Sequence, residues 1–281
     1  GIELLASCKT IRQISEYIEG MPSVDKNSAI ELETDNRIDM DKAVAITGLA
    51  LRLPGAKNQQ EFWNNLCSKK DCISQISPKR KELSGKPEWN DWLGELEDIE
   101  CFDNEFFEIS AEEAKFMDPQ QRLILETSYE ALEDAGMIPG LEEERNIGVY
   151  SGISTNTYYQ LLARYIEKYG AEKLHPNTMV GNMHNITAAI ISHAYNFTGP
   201  ALSIDTACSS FLAALHHAVE AIRHKSIEGA VVTSANILVV PIAHILSKTA
   251  GIVSSTKNAR VFDKDADGTV LGEGVVVVYL E

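Results

Sequence analysis

Several features that would place this chain in a specialised class of protein are missing from its sequence. No apolar run approaches the roughly 20 residues that a helix needs to cross a bilayer, and the N-terminus lacks the basic and then apolar layout of a signal peptide. Positive charge is scarce, because 25 Lys and Arg face 41 Asp and Glu and give a formal net charge of −16. An acidic surface repels phosphate backbones. We therefore expect neither a membrane span nor a nucleic-acid partner.

The cysteines follow no metal-binding or disulfide pattern. An odd number of irregularly spaced cysteines without a CxxC pair argues against a zinc site and against a disulfide framework. The prediction is reduced thiols, no bound metal and a cytoplasmic location. The five cysteines are Cys8, Cys67, Cys72, Cys101 and Cys208.

Apolar residues, in contrast, make up 44% of the 281 positions, which is enough for a large core. From residue 43 onward, short apolar runs alternate with amphipathic stretches, and these predict strands and helices respectively. The predicted strands are 43–49, 146–153, 201–205, 229–237 and 274–280, and the predicted helices are 117–136, 178–197 and 209–225. This alternation favours an α/β fold with a mainly parallel sheet covered by helices. Residues 54–103 fit neither pattern and are predicted to form a loop-rich insertion over the sheet.

The first 42 residues differ from the rest of the chain. Ile11, Ile14 and Ile18 fall on one face at helical spacing, and Gly20 ends the pattern. A single amphipathic helix cannot bury itself, and Gly1 is not a natural start. Residues 1–20 are therefore predicted to be the last helix of a truncated upstream domain. The polar, acidic residues 21–42 are predicted to be a linker, and residues 43–281 form the main domain.

One cysteine stands apart because it lies between two predicted elements. Cys208 follows the predicted strand 201–205 after a two-residue turn, and the predicted helix 209–225 begins directly after it. At a helix N-terminus, the positive end of the macrodipole and the unpaired N–H groups favour the thiolate, which is the nucleophilic form. The same N–H groups can stabilise an oxyanion. This position makes Cys208 the candidate catalytic residue.

The position of Cys208 alone does not exclude that this cysteine is chemically inert. A lone cysteine beside apolar residues is usually a small buried hydrophobe. A non-catalytic scaffold or interaction fragment, in which Cys208 does not react, is therefore a competing interpretation. The other four cysteines have no comparable setting and are interpreted as structural.

The residues around Cys208 are similar to those of a known family. Asp205-Thr-Ala-Cys-Ser-Ser210 resembles the nucleophile motif of β-ketoacyl synthases, the thiolase-like condensing enzymes of fatty acid and polyketide synthesis. Other motifs extend the resemblance in order over residues 43–281, most of all to modular polyketide synthases. They are Val44-Ala-Ile-Thr-Gly-Leu-Ala50, Glu61-Phe-Trp63, Phe106-Phe-Glu-Ile-Ser110, Met117-Asp-Pro-Gln-Gln-Arg-Leu123, Glu130-Ala-Leu-Glu-Asp-Ala-Gly136, Phe262-Asp-Lys-Asp-Ala-Asp-Gly268 and Gly272-Glu-Gly274.

The resemblance implies a fold, a reaction and a set of partners. The fold would be thiolase-like, a layered α/β/α arrangement of which only the first of two similar halves is present. Cys208 would accept an acyl chain from the phosphopantetheine of an acyl carrier protein, and the acyl-enzyme would condense with a malonyl-type extender as that extender loses carbon dioxide. The segment itself would bind no cofactor. Its partners would be acyl carrier domains, the C-terminal half of the same ketosynthase and, in the parent enzyme, a second copy in a homodimer.

Members of this family also use two histidines, and both belong to the second half of the fold. None of the histidines here stands in the sequence context of either one, so we expect these 281 residues alone to form no condensation product. The histidines are His175, His184, His193, His216, His217, His224 and His244. A ketosynthase that passes acyl chains between carriers without elongation is an alternative that stays open.

The resemblance also gives meaning to the N-terminal segment and to three departures from the family pattern. Thr10-Ile-Arg-Gln-Ile-Ser-Glu-Tyr17 is similar to the final helix of an acyl carrier domain. Ile190 stands where relatives often have a basic residue, and Ser234-Ala235 stands where glycines are usual. Phe211 replaces a small serine and is expected to narrow the region near the acyl channel.

A possible calcium loop is the last motif. Asp263-x-Asp265-x-Asp267-Gly268 resembles the start of an EF-hand loop, which needs a bidentate glutamate at its twelfth position. That position is Gly274, and Glu273 misses it by one residue. A structural turn is therefore predicted.

Overall fold

The computed structural model describes residues 43–137 and 144–281. The predicted helix in residues 1–20 and the linker 21–42 lie outside the described residues. The strands are β1 (Ile46–Arg52), β2 (Ser74–Gln75), β3 (Trp92–Gly94), β4 (Ile147–Gly152), β5 (Ala201–Ser203), β6 (Gly229–Asn236), β7 (Leu271–Gly272) and β8 (Gly274–Leu280). The helices are α1 (Gln59–Cys67), α2 (Pro78–Ser84), α3 (Ala111–Lys115), α4 (Pro119–Asp134), α5 (Tyr159–Tyr169), α6 (Thr187–Ala194), α7 (Ser210–Arg223) and α8 (Ile242–Thr249).

The large sheet has five strands in the order β1-β8-β6-β4-β5, and it is mixed. β4 pairs in parallel with β5 and with β6, whereas β8 runs antiparallel to β6 and to β1. The expectation of a mainly parallel sheet is therefore wrong for the β8 side. The apolar pattern could not reveal this, because a strand buried on both faces has the same composition in either direction.

Helices cover both faces of the large sheet, which confirms the α/β/α layering. On one face, Ile124 of α4 and Ile191 of α6 belong to the same buried cluster as Val277 of β8. On the other face, Ala214 of α7 belongs to a second cluster with Val278. The neighbouring residues of β8 fall into different clusters because successive strand side chains point to opposite faces.

Several predicted elements agree closely with the observed ones. β8 occupies the predicted residues 274–280, and β4, β6 and α7 lie inside their predicted ranges. β1 begins at Ile46, three residues after the predicted start. α5 and α8 were not predicted.

The predicted helix 178–197 is α-helical only from Thr187 to Ala194. Its first half is occupied by 3-10 turns at Pro176–Thr178, Val180–Asn182 and His184–Ile186. A Cβ on Gly181 would lie 2.8 Å from Met117 Cγ, and Asn182 Nδ2 donates to the carbonyl oxygen of Phe116 at 2.6 Å. These tertiary contacts override the helical periodicity.

The predicted loop-rich insertion 54–103 contains more regular structure than expected. It includes α1 and α2, and its strands β2 and β3 form a second sheet with β7. α2 carries clear local signals, because the Ser77 hydroxyl caps its start and Gly85 ends it with φ +61°. Among the described residues, no helix is both long and apolar enough to cross a membrane.

Because Tyr279 on β8 is buried, we expect the sheet to lose stability at alkaline pH. Tyr279 is 4% exposed, and burial raises the pKa of its phenol from 10.0 to about 12, with Glu281 acting in the same direction. Its contribution is complete below pH 10, because both states are then protonated, and it is lost as the pH rises from 10 to 12. We expect the contribution of Tyr279 to the free energy of unfolding to fall by about 2 kcal/mol over that interval. Urea unfolding at several pH values measures it.

The matched variants are Tyr279→Phe and Tyr159→Phe. Tyr279→Phe removes one titrating group and is expected to reduce the alkaline loss by about 2 kcal/mol, whereas Tyr159 is 48% exposed and its replacement is expected to leave the loss unchanged. Equal alkaline loss in Tyr279→Phe and the wild type would contradict the assignment.

Candidate active site

Three parallel strands end at one edge of the large sheet. β4 ends at Gly152, and its neighbours β5 and β6 end at Ser203 and Asn236. Parallel neighbours end at a common edge, so the loops that follow them leave the sheet at the same place. The loops after β4 and β5 bring Ser154 and Asp205 together there, in direct hydrogen-bond contact.

The turn between β5 and α7 carries Cys208 at this edge. Ala207 has φ +56°, a left-handed conformation that costs a non-glycine residue about 1–2 kcal/mol. A 3-10 turn, Ala207–Ser209, precedes α7, which begins at Ser210, so Cys208 lies two residues before the helix rather than directly at its start. Cys208 is exposed. A buried hydrophobic cysteine, the alternative left open by the sequence, does not describe it.

Side-chain hydrogen bonds hold the strained turn on both sides of Ala207. The carboxylate of Asp205 accepts the backbone N–H of Ala207 at 2.9 Å and also accepts the hydroxyl of Ser154. The hydroxyl of Ser210 accepts the N–H of Thr206 at 2.9 Å and donates to the carbonyl oxygen of Ala207 at 2.7 Å. These bonds offset the cost of the left-handed conformation at Ala207 and hold the backbone that leads into Cys208.

The charge of Asp205 is part of this arrangement. The hydrogen bond from Ser154, followed by the N–H of Ala207, holds the pKa of the Asp205 carboxyl below its usual range, and nearby His184 acts in the same direction. Asp205 therefore stays ionised at neutral pH and remains an acceptor for both donors.

Gly152 sets the height of α7 above the sheet. A Cβ at this position would lie 2.7 Å from the carbonyl carbon of Ser210 and 2.8 Å from the backbone nitrogen of Phe211. Both are backbone atoms, so no side-chain rotation could relieve the contact. The first turn of α7, and with it Cys208, lies directly against the backbone at the end of β4.

The first turn of α4 ties the surrounding loops to the sheet. Asp118 caps α4 by accepting the N–H of Gln120 at 2.9 Å, and both residues are buried. Gln120 donates to the carbonyl oxygen of Thr155 at 2.7 Å and accepts the N–H of Ile237 at 3.1 Å. It thereby links the loop after β4 with the segment after β6. Sequence reasoning missed this role of Gln120, although the motif 117–123 contains it.

The histidines and the other cysteines lie elsewhere or form no bond to the candidate thiol. No hydrogen bond or ion pair joins a histidine to Cys208 in the described part of the chain. His216 and His217 are exposed on α7, and burial lowers the pKa of His244, which is 3.2 Å from the carbonyl oxygen of Trp92. His184 Nε2 lies 3.7 Å from a carboxylate oxygen of Asp118.

Exposure alone does not single out Cys208. Cys67 and Cys101 are also exposed and Cys72 is half-buried, and their interpretation as structural residues stays a prediction. Cys8 lies outside the described residues. The feature that distinguishes Cys208 is its turn.

The acidic loop 263–268 is a structural turn. The carboxylate of Asp267 accepts the hydroxyls of Ser254 and Ser255 at 2.6 and 2.7 Å, and these bonds hold its pKa well below the usual range. Asp263 accepts the N–H of Asp265 at 2.8 Å. Asp267 is therefore engaged by the neighbouring segment, Asp263 by the backbone of the loop, and Asp265 by the ammonium of Lys264.

A mixed sheet between helical layers, with a cysteine turn beyond the ends of its parallel strands, is the arrangement expected of a thiolase-like condensing enzyme. The family model of the β-ketoacyl synthase N-terminal domain matches residues 41–281. The chain belongs to this family, and it corresponds to the N-terminal half of a ketosynthase domain of the modular polyketide synthase type.

Similar proteins and structures agree with this assignment. The polyketide synthase PksM of Bacillus subtilis is 34% identical over 302 residues, which cover 99% of this chain and 7% of that protein. A fatty acid synthase of Anser anser anser is 38% identical over 84% of this chain and 65% of its own length. The ketosynthase from module 6 of the Bacillus subtilis bacillaene synthase is 36% identical with a TM-score of 0.71, over 85% of this chain and 39% of that one. The oxazolomycin ketosynthase domain OzmH KS7 of Streptomyces albus is 30% identical with a TM-score of 0.75, over 85% of this chain and 42% of that one.

Proposed function

We propose that Cys208 is the acyl-accepting nucleophile of a decarboxylative condensation. The observation that carries the proposal is the left-handed turn at Ala207, held by Asp205 and Ser210, which presents an exposed thiol beyond the ends of parallel strands. Strain stored at a site and supported by surrounding hydrogen bonds is typical of functional positions. A sharp turn from strand to helix presents the nucleophile in other enzyme folds too.

The proposed reaction has two stages. The Cys208 thiolate attacks the carbonyl carbon of an acyl thioester carried by the phosphopantetheine of an acyl carrier protein, the carbon–sulfur bond to the carrier breaks, and the phosphopantetheine leaves as its thiolate. A malonyl-type thioester on a carrier then loses carbon dioxide, and the resulting carbanion attacks the acyl-enzyme. A carbon–carbon bond forms, the bond to sulfur breaks, and the thiolate of Cys208 is regenerated with a β-ketoacyl product. The chemical class is therefore acyl transfer.

The backbone around Cys208 supplies an oxyanion donor for this chemistry. Among the described residues, no acceptor is hydrogen-bonded to the N–H of Cys208. The positive end of the α7 dipole lies two residues further along the chain. Both features stabilise the negative oxygen that develops when the thiolate attacks a carbonyl.

The remaining parts of the machinery belong to the proposal as well. We expect the two family histidines in the C-terminal half, acyl carrier domains as substrate partners, a homodimer and a cytoplasmic location. A ketosynthase that passes acyl chains between carriers without elongation would differ from the proposed enzyme in the second stage alone. A condensation assay on the complete synthase therefore distinguishes the two. No product is expected from the 281 residues by themselves.

Selective labelling of thiols tests the nucleophile. In the complete synthase, iodoacetamide is expected to alkylate Cys208 about tenfold faster than Cys67 or Cys101, since reactivity follows thiolate character rather than exposure. A short-chain acyl N-acetylcysteamine thioester is expected to add its acyl group to the same residue. Peptide mass spectrometry measures both, with the two exposed cysteines as internal controls. Equal rates at the three positions would instead favour a non-catalytic scaffold.

A further inference from the structure

A cavity of about 400 Å³ lies beside the first turns of α4. This volume is in the usual range of small-molecule sites. Its apolar lining includes Ile99 and Val239, which are buried, and Phe102 and Leu161, which are partly buried. The exposed Leu83 also lines the cavity and places its rim at the protein surface.

Arg122 lines this cavity and lacks the partners that a buried guanidinium requires. The residue is 7% exposed, and a guanidinium carries five N–H donors. Its Nη1 donates to the carbonyl oxygen of Glu100 at 3.1 Å, whereas its Nε is buried without a hydrogen-bond partner. Over residues 43–137 and 144–281, no carboxylate lies within ion-pair distance of it. Burial lowers the pKa of Arg122, and the more distant carboxylates of Asp118, Glu126 and Glu100 act in the opposite direction.

A second buried arginine in the same chain provides an internal comparison. Arg80 is 2% exposed, and its guanidinium contacts both carboxylate oxygens of Glu273 and the carbonyl oxygens of Leu96 and Leu238. A buried charge without such partners is strongly unfavourable. In contrast to Arg80, Arg122 has guanidinium donors at the cavity that no protein group in the described part of the chain accepts.

We propose that this cavity binds a small carboxylic acid, as a monoanion with an apolar body, through Arg122. The planar guanidinium can donate two parallel hydrogen bonds to a carboxylate. The apolar walls suit a hydrocarbon or aromatic body, and the carboxylate of Glu100 at the lining repels a dianion more strongly than a monoanion. Lys115 also lines the cavity. Its ammonium makes a cation–π contact with Phe116, 5.5 Å from the ring centroid, so Arg122 is the cation that we assign to the carboxylate.

The cavity is separate from the site around Cys208. Gln120 and Arg122 are two residues apart on α4, which places them roughly 200° apart around the helix axis. Gln120 contacts the loops after β4 and β6, and Arg122 faces the cavity. The proposal therefore does not depend on the role of Cys208.

Fluorine NMR with 4-(trifluoromethyl)benzoate as the probe tests this site in the complete synthase. We expect saturable binding, displacement by hexanoate, and about tenfold weaker binding of the uncharged 4-(trifluoromethyl)benzyl alcohol, since the alcohol cannot accept two parallel charge-assisted hydrogen bonds from the guanidinium. Equal affinity for the acid and the alcohol, or no saturable binding of the acid, would overturn the proposal without any variant.

Two variants locate the binding. Arg122→Met is expected to weaken benzoate binding about tenfold or more. Arg164→Met is the matched control, because Arg164 on α5 donates to the carbonyl oxygen of Ser84 instead of lining the cavity, and its affinity should stay within about twofold of the wild type. Unchanged binding in Arg122→Met, or loss of binding in Cys208→Ala, would overturn the proposal. The alkylation rate of Cys208 should be the same in Arg122→Met and the wild type, which separates this test from that of the nucleophile.

Discussion

Replacing Glu273 with Gln is expected to lower the free energy of unfolding by about 3 kcal/mol, because the change removes the carboxylate that pairs with both Nη atoms of the buried Arg80 and leaves Glu95, 3.9 Å from its Nε, as the remaining counter-charge. Glu273 Oε2 lies 3.0 Å from Arg80 Nη2, and both residues are buried. The two carboxylate oxygens also accept the N–H groups of Leu96 and Leu238, each at 2.7 Å. One carboxylate thus joins the insertion before α3, the segment after β6 and the start of β8.

The energetic argument rests on the asymmetry between a complete and a broken buried pair. Burial raises the pKa of Glu273, although the hydrogen bonds from Arg80 oppose the shift, so the charged pair carries a desolvation cost even when intact. Removing the arginine as well takes away the unpaired buried charge, while the amide oxygen of a glutamine at 273 can still accept one of the two N–H groups. The double variant Arg80→Met/Glu273→Gln is therefore expected to be more stable than Glu273→Gln alone.

The urea-induced unfolding transition of the ketosynthase domain measures these differences in stability. Glu220→Gln is the matched control, because Glu220 pairs with Arg223 on the surface of α7, where an ion pair contributes at most about 1 kcal/mol. A loss in Glu273→Gln no larger than the loss in Glu220→Gln would contradict the account.

This pair also shows why part of the fold could not be predicted from the sequence. The boundaries of β8 follow from its apolar run, which a local pattern can show. The partner of Glu273 is 193 residues away, and no periodicity connects the two positions. For the same reason the sequence could not show that β8 pairs antiparallel between β1 and β6, or that Met117 packs against Gly181 and interrupts a helical pattern.

For the candidate site, too, some features could be predicted from the sequence and others could not. The position of Cys208 between a strand and a helix, and the motif that contains it, are visible in the sequence. The left-handed conformation at Ala207 is not, because alanine seldom adopts it and carries no local signal for it. Part of the support for the turn is the hydroxyl of Ser154, which donates to Asp205 from a different strand's loop, and this contact becomes apparent only when β4 and β5 are placed side by side.

Gly152→Ala is expected to displace the turn that carries Cys208. The new methyl group would overlap the backbone of Ser210 and Phe211, and relief requires moving the whole first turn of α7. Overpacking of a well-packed core typically costs about 1–3 kcal/mol, and we expect the upper end here because both obstructing groups are backbone. The bonds that Ser210 makes on either side of Ala207 would lengthen with the shift.

Two measurements on one variant separate displacement of the turn from general loss of stability. Urea unfolding should show the loss of about 3 kcal/mol, and alkylation of Cys208 relative to Cys101 should slow about tenfold, equivalent to about 1.4 kcal/mol of activation free energy. Gly272→Ala is the control, because a Cβ there meets no atom within 4 Å and both quantities should stay near the wild type. Wild-type reactivity of Cys208 in a destabilised Gly152→Ala would mean that the contact between β4 and α7 supports the fold without orienting the thiol.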